Sequence, residues 1–132
     1  MIIDASALIA ILQDEQETPG LLRAISRAPR RGLSAASYLE SAIVADGRQD
    51  PVISRQLDLL LDKLDVAIEP VTAEQALIAR QAYRDFGKHS GHPARLNFGD
   101  CFAYALAKTR DEDLLFKGDD FTHTDVRPAH RH

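Results

Sequence analysis

Cysteine is nearly absent from this 132-residue sequence, where Cys101 stands alone. A single thiol excludes an internal disulfide framework and a zinc site built on several cysteines, and it fits a reducing compartment. Tryptophan is missing and aromatic residues reach only 6%, so no extended platform for stacking single-stranded bases is expected. No apolar run approaches the ~18 residues that a membrane span requires. The start, Met1-Ile2-Ile3-Asp4, lacks the basic lead and long apolar stretch of a signal peptide. A cytoplasmic protein with no membrane partner is therefore expected. Positive charge is not in excess either. Sixteen Lys and Arg stand against twenty Asp and Glu, a formal net charge of −4. Proteins that hold nucleic acid by bulk charge are basic. A nucleic-acid partner here needs a local basic patch or a bound cation.

What is present is an ordinary globular mixture, 45% hydrophobic and 27% charged. The length suits one domain, able to bury enough surface to fold without covalent staples. Five histidines include His130 and His132 at the end, and neither is given a role.

Short β-like runs alternate with helical patterns. Met1 to Asp4 is an apolar run that ends in an acid, and Ser6 is a cap candidate for a helix through Leu12. Thr18-Pro19 opens a second helix as N-cap and first position, and Pro29 to Gly32 breaks it. Leu33 suits a very short strand. A third helix carries Tyr38, Leu39, Ala42, Ile43 and Val44 and stops near Gly47. Asp50-Pro51 opens a fourth, with Ile53, Leu57, Leu60, Leu61 and Leu64 as an amphipathic stripe. Val66 to Val71 suits a strand. Thr72 to Gln75 fits a capping box before a fifth helix that Gly87 stops. Residues 87 to 96 are a polar loop, Asp100 to Lys108 a helix, Leu114 to Lys117 a strand, and Val126 an edge strand ended by Pro128. This alternation predicts an α/β fold, a mainly parallel sheet with helices on both faces.

Four acidic positions fall where strands end or apolar helices begin. Asp4 ends the first run, Glu40 interrupts Tyr38-Leu39-Glu40-Ser41-Ala42-Ile43, Asp100 precedes Cys101-Phe102-Ala103-Tyr104, and Asp119-Asp120 follow Leu114-Leu115-Phe116 closely. In a parallel α/β sheet such positions converge on one edge, where ligands bind. Carboxylates brought together repel and raise one another's pKa unless a cation sits among them. A set of carboxylate oxygen donors selects a hard divalent ion, Mg²⁺ with Mn²⁺ as a substitute, rather than Zn²⁺. That chemistry suits phosphodiester hydrolysis. Each acid also has a plainer role. Asp4 and Asp100 can cap helices, Glu40 completes Ser37-x-x-Glu40, and Asp119-Asp120 suit a turn. Removing one acid at each of the four positions would bring the charge of −4 to zero, so the negative excess is site charge.

These residues resemble a known family. Met1-Ile2-Ile3-Asp4-Ala5-Ser6-Ala7-Leu8, Ser37-Tyr38-Leu39-Glu40, Asn97-Phe98-Gly99-Asp100-Cys101-Phe102-Ala103-Tyr104 and Leu115-Phe116-Lys117-Gly118-Asp119-Asp120-Phe121 are similar, in order, to the acidic motifs of PIN-domain proteins, and more narrowly of VapC toxins. The resemblance runs from Met1 to about Val126. It implies a single PIN domain over residues 1–132, with about 128–132 as a tail. It implies a Mg²⁺-dependent endoribonuclease acting on structured RNA such as tRNA, inhibited by a VapB-type antitoxin and usually a homodimer. Asp4, Glu40 and Asp100 carry over as metal and catalytic acids, Asp120 as the fourth with Asp119 as its alternate, and Ser6 as support for Asp4.

Arg84, Lys88, His89, His92 and Arg95 make the best basic patch, just before Asp100, with Lys88 and Arg95 as substrate contacts. A solvated surface loop is the plainer account. Lys117 is a further candidate for a phosphate contact. Two other functions stay open at this point. One is a PIN-like module that binds RNA or protein without cutting. The other is aspartate phosphotransfer on Asp4, though the second acid expected beside it is missing.

Overall fold

Period-two burial in two very short strands organises the molecule. In the computed structural model, which describes residues 1–130, β1 (Ile2–Ile3) and β4 (Leu114–Leu115) are both fully buried. Ile2 and Leu114 face one core, and Ile3 and Leu115 face the other. Side chains alternate along a strand, so an apolar residue at every position marks a sheet covered on both faces.

The four strands, with β2 (Gly32–Ser34) and β3 (Ala67–Glu69), run parallel in the order β3-β2-β1-β4. Helices α1 (Ala5–Leu12), α2 (Thr18–Arg27), α3 (Ala35–Gly47) and α4 (Pro51–Lys63) carry the chain from β1 through β2 to β3. Leu8, Leu21, Ile25, Ala45, Leu57 and Leu61 from these helices join Ile3, Leu33 and Leu115 in one core. The return from β3 to β4 passes through α5 (Ala73–Phe86) and α6 (Phe98–Arg110), which cover the opposite face. The winding direction therefore reverses at β1. Strand ends beside such a switch point form a crevice. Asp4 follows β1 there, and its backbone N–H donates to the Leu115 carbonyl at 2.8 Å.

Several local expectations change. Asp4 caps α1 by accepting from the Ser6 N–H; Ser6 lies inside the helix. Thr18 is also inside its helix, where its buried hydroxyl donates to the Ala10 carbonyl and ties α2 to α1. Ser34, not Ser37, caps α3, which leaves Ser37 buried in the first turn and Glu40 in the second. The capping box at Ser37 and Glu40 does not form, because the helix starts one turn earlier than that box requires. Thr72 caps α5 by accepting from the Gln75 N–H, but the expected box is only half made, since the Gln75 side chain returns no bond to the Thr72 backbone. The amphipathic stripe of α4 packs into the core.

The expected last edge strand is a single bridge instead. Leu114 donates to the Arg127 carbonyl, and Ala129 donates back to Leu114, each at 2.9 Å. Pro128 sits within this bridge, where its missing N–H costs nothing because its neighbours make the bonds. Pro128 and Ala129 are thus tied to β4, and His130 packs against Gly20. The expected tail is anchored as far as His130, and residues 131–132, which include the terminal His132, lie outside the described residues.

Candidate functional site

One strand end, at Asp4, and two helices, α3 with Glu40 and α6 with Asp100, bring carboxylates to the switch point. Asp4 is 3% exposed and follows β1 directly. Its Oδ2 accepts from the Ser6 N–H at 3.0 Å, and the Ser6 hydroxyl lies against the same carboxylate. That hydroxyl accepts from the Lys117 N–H at 3.0 Å, so Ser6 couples the first acid to the segment leaving β4.

Asp100 stands at the third position of α6. Asn97 is the cap, not Asp100: its Oδ1 accepts from the Asp100 N–H at 2.9 Å. The Asp100 Oδ2 accepts in return from the Asn97 N–H at 3.0 Å. This reciprocal box fixes the Asp100 side chain, and its other oxygen has no hydrogen bond among the described residues. Asn97-x-x-Asp100 is itself a readable capping signal that the acid-centred view of the sequence passed over.

Glu40 reaches the site from the second turn of α3. Its carboxylate rests on Gly99, in the first turn of α6 beside Asp100. Asp120 opens a short 3-10 helix (Asp120–His123) after β4, with Asp119 as the residue before it.

The electrostatics tie these groups together. Burial pushes Asp4 up to about 6, with a further push from the charge of Glu40. Burial pushes Asp100 up to about 7, and the charges of Asp4 and Asp120 add to it. Burial, then the charge of Asp100, raises Glu40 as well. Asp120 is the terminal acid whose charge reaches Asp100. Among the described residues, no ion pair reaches any of these four acids.

Yet no three His, Cys, Asp or Glu side chains among the described residues are gathered closely enough to hold a metal ion as they stand. The acids are near enough to feel one another's charge without forming a close cage. Cys101 is beside them but inert: burial pushes its thiol up to about 11, away from the reactive thiolate.

The basic segment is less open than its sequence suggests. Residues 87–96 are closed by Lys88 donating to the Leu96 carbonyl at 3.0 Å and Leu96 donating to the Phe86 carbonyl at 2.8 Å. His92 is engaged inside the loop, with Nδ1 accepting from the Ala94 N–H and its ring edge-on to Phe86. Arg84, Lys88, His89 and Arg95 remain exposed. Lys117 is not free for phosphate, since it pairs with Glu15 at 2.9 Å and Glu17 at 3.6 Å.

The chain as a whole has known counterparts. The family model described as PIN domain matches residues 1–127. The chain belongs to the PIN domain family.

Within the PIN proteins, its relatives carry one name. The chain is 57% identical over 129 residues to ribonuclease VapC28 of Mycobacterium tuberculosis, covering 98% of this chain and 97% of that one. It is 51% identical over 130 residues to a ribonuclease VapC of Mycolicibacterium smegmatis, covering 98% and 100%. Both likenesses place this PIN domain among the VapC ribonucleases. Solved structures share the fold at low identity. One is Mycobacterium tuberculosis VapC20, described as a toxin that cleaves the sarcin-ricin loop (TM-score 0.70, 19% identity, 96% and 98% covered). Another is a toxin-antitoxin complex from Klebsiella pneumoniae (TM-score 0.74, 15% identity, 99% and 98% covered). No helix among the described residues is long and apolar enough to cross a membrane.

Proposed function

We propose that this chain is the toxin of a toxin-antitoxin pair, a Mg²⁺-dependent endoribonuclease whose site is Asp4, Glu40, Asp100 and Asp120. The observation that carries this reading is the set of acids at the switch point: Asp4, Glu40 and Asp100 are raised in pKa by burial and then by neighbouring carboxylates, and no protein cation pairs with them among the described residues. Burying carboxylates together costs free energy in the metal-free protein. A divalent ion removes that cost. The donor set is oxygen only and is not gathered into a close cage among the described residues, which suits Mg²⁺, an ion that keeps several of its own waters. Mn²⁺ fits the same donors.

When bound, the ion would lower the pKa of a water and offset the charge of a phosphodiester. Asp4, held by Ser6, and Asp100, held by Asn97, present fixed oxygens to it. Glu40 reaches in from a different helix, placed to ligate or to orient the attacking water. Asp120 completes the crevice from the β4 side, with Asp119 adjacent as its alternate. Arg84, Lys88 and Arg95 are exposed on the segment that leads into α6 and Asp100, and they are the candidate phosphate contacts. No covalent nucleophile is needed.

The substrate class is structured RNA, with tRNA first among candidates. A VapB-type antitoxin and a second copy of the chain are the expected protein partners. The α4 stripe is core. Leu39, Ile43, Leu77 and Phe98 are the large apolar side chains left 58–77% exposed on α3, α5 and α6, and they are the candidate partner contacts.

Purified protein free of antitoxin, incubated with total tRNA and rRNA, tests the reading. Discrete fragments are expected with Mg²⁺, and none with EDTA or with Asp100→Asn. Equal fragments in every lane would show a contaminating nuclease. Absence of fragments in every lane, from folded protein that binds Mn²⁺, would favour the non-cutting module.

A further inference from the structure

Gly99 occupies the second position of α6, in an ordinary helical conformation that asks for no glycine. Positive φ angles fall at Gly91 (82°) and Gly118 (95°), not here. Space, rather than backbone freedom, distinguishes this residue. A Cβ built on Gly99 would overlap Glu40 Oε2 and lie 2.9 Å from both Cδ and Oε1 of the same side chain. The entire carboxylate of Glu40 therefore rests where the side chain of residue 99 would otherwise be.

The kind of neighbour decides what a substitution does. At Gly87, a Cβ would overlap the backbone carbonyl of Tyr83, which the closed 87–96 loop cannot move. At Gly99 the obstacle is the far end of a flexible chain on another helix. Glu40 can swing away without disturbing α3 or α6. It would then leave Asp100, whose charge it feels in its present position and which follows Gly99 in the chain. Ser37, one turn before Glu40 on α3, is buried with its hydroxyl unpartnered, so the helix itself gives the Glu40 end of the site no second anchor of this kind.

We propose that Gly99 is a positioning residue: its missing side chain is the socket that holds the Glu40 carboxylate against the start of α6, within reach of the ion shared with Asp100. This inference rests on the proposed metal site. Alanine at 99 is a better helix former than glycine, so the fold is expected to tolerate it. Function and stability should then part company, which they do not when a glycine is kept for packing.

The test uses four full-length proteins, the parent, Gly99→Ala, Glu40→Ala and the double variant, with Mn²⁺ binding followed by calorimetry and melting followed without metal. Gly99→Ala is expected to melt at or above the parent temperature, yet to bind Mn²⁺ about tenfold more weakly, the size of a lost positioning contact. In the Glu40→Ala background the same change should have no effect on Mn²⁺ affinity, because no carboxylate is left to displace. Equal Mn²⁺ affinity for the parent and Gly99→Ala would overturn the positioning role alone. An equal loss in both backgrounds would overturn it too, by showing a general structural effect. A parent that binds no Mn²⁺ would overturn the metal site, and the socket with it.

Discussion

Helix α6 ends in two opposite ways. At its C-terminal end the acids all have cations. Lys108 pairs with Asp125 at 3.0 Å, Arg110 with Glu69 at 2.8 Å, and Arg127 with Asp111 at 2.7 Å and Asp113 at 2.9 Å. There the hydrogen bond and charge of Arg127 hold Asp111 below the usual carboxylate range. At the N-terminal end Asp100 has Asp4, Glu40 and Asp120 around it and no cation. The helix dipole favours acid at the first end and base at the last, but that modest effect is outweighed at Asp100 by burial and like charge. One end is tied by ion pairs, and the other keeps carboxylates without a protein cation among the described residues.

The largest way to break the contrast is to neutralise the unsatisfied end. Asp4→Asn keeps an acceptor for the Ser6 N–H, since asparagine caps as well as aspartate. It should lower Mg²⁺-dependent RNA cleavage by at least ~10²-fold, the scale for losing preorganised electrostatic stabilisation. The same change should raise the stability of the metal-free protein at pH 7.5 or above. Asp4 is raised from 3.8 to about 6. That shift corresponds to a cost of up to about 3 kcal/mol for ionising it in the fold. Urea melts without metal measure this. A variant that loses both stability and cleavage would mean Asp4 is a structural cap and no more.

Next in size is the pH dependence. Asp4 and Asp100 titrate higher in the fold than in the unfolded chain, where each sits near 3.8. Their contribution to stability is whole below about pH 4 and is lost as pH rises through about 6 to 7. Metal-free protein should therefore melt lower at pH 8 than at pH 5.5 as far as these groups decide it. Saturating Mg²⁺ should remove the difference, and Mg²⁺ affinity should fall as pH drops below 7. A metal-free melting temperature that rises steadily across this range would contradict the shared burial of the acids.

Parts of this were legible in the sequence and parts were not. The parallel sheet could be read because Ile2-Ile3 and Leu114-Leu115 are apolar at every position, the mark of strands covered on both sides. The acids stood out in the sequence because Asp4 ends an apolar run, Glu40 interrupts one and Asp100 precedes one, while Asp119-Asp120 close the segment after Leu114-Leu115-Phe116. Helix starts were harder to place. Ser34, Asn97 and Asp4 are the caps, whereas Ser37, Asp100 and Ser6 looked equally suitable, because short polar residues cluster at these boundaries and spacing alone does not say which one leaves the helix. The closed loop at 87–96 and the pairing of Lys117 with Glu15 depend on contacts between distant segments, and no local pattern encodes them. The socket at Gly99 is of the same kind: a space made by one helix for the side chain of another.

A smaller effect sharpens the role of the box at the start of α6. Asn97→Ala removes the acceptor for the Asp100 N–H. The expected cost is about 1 kcal/mol of stability, typical for a lost N-cap. Mg²⁺ affinity should also weaken, since Asp100 keeps only one half of its restraint. Asn97→Asp or Asn97→Ser should restore most of the stability.

The smallest effect lies at the satisfied end. Lys108→Met removes the partner of Asp125, but Tyr104 still donates to that carboxylate at 2.7 Å. Both members of the pair are substantially exposed, 38% and 55% at the side chain, so water and salt already screen much of their attraction. Exposed pairs of this kind contribute less than about 1 kcal/mol. The variant should therefore cleave RNA as the parent does, and its small loss of melting temperature should shrink further in high salt. A large loss of cleavage from Lys108→Met would mean that the two ends of α6 are coupled, and that the paired acids help set the charge balance of the unpaired ones. With no such loss, α6 is a spacer of fixed length, and its two ends work independently.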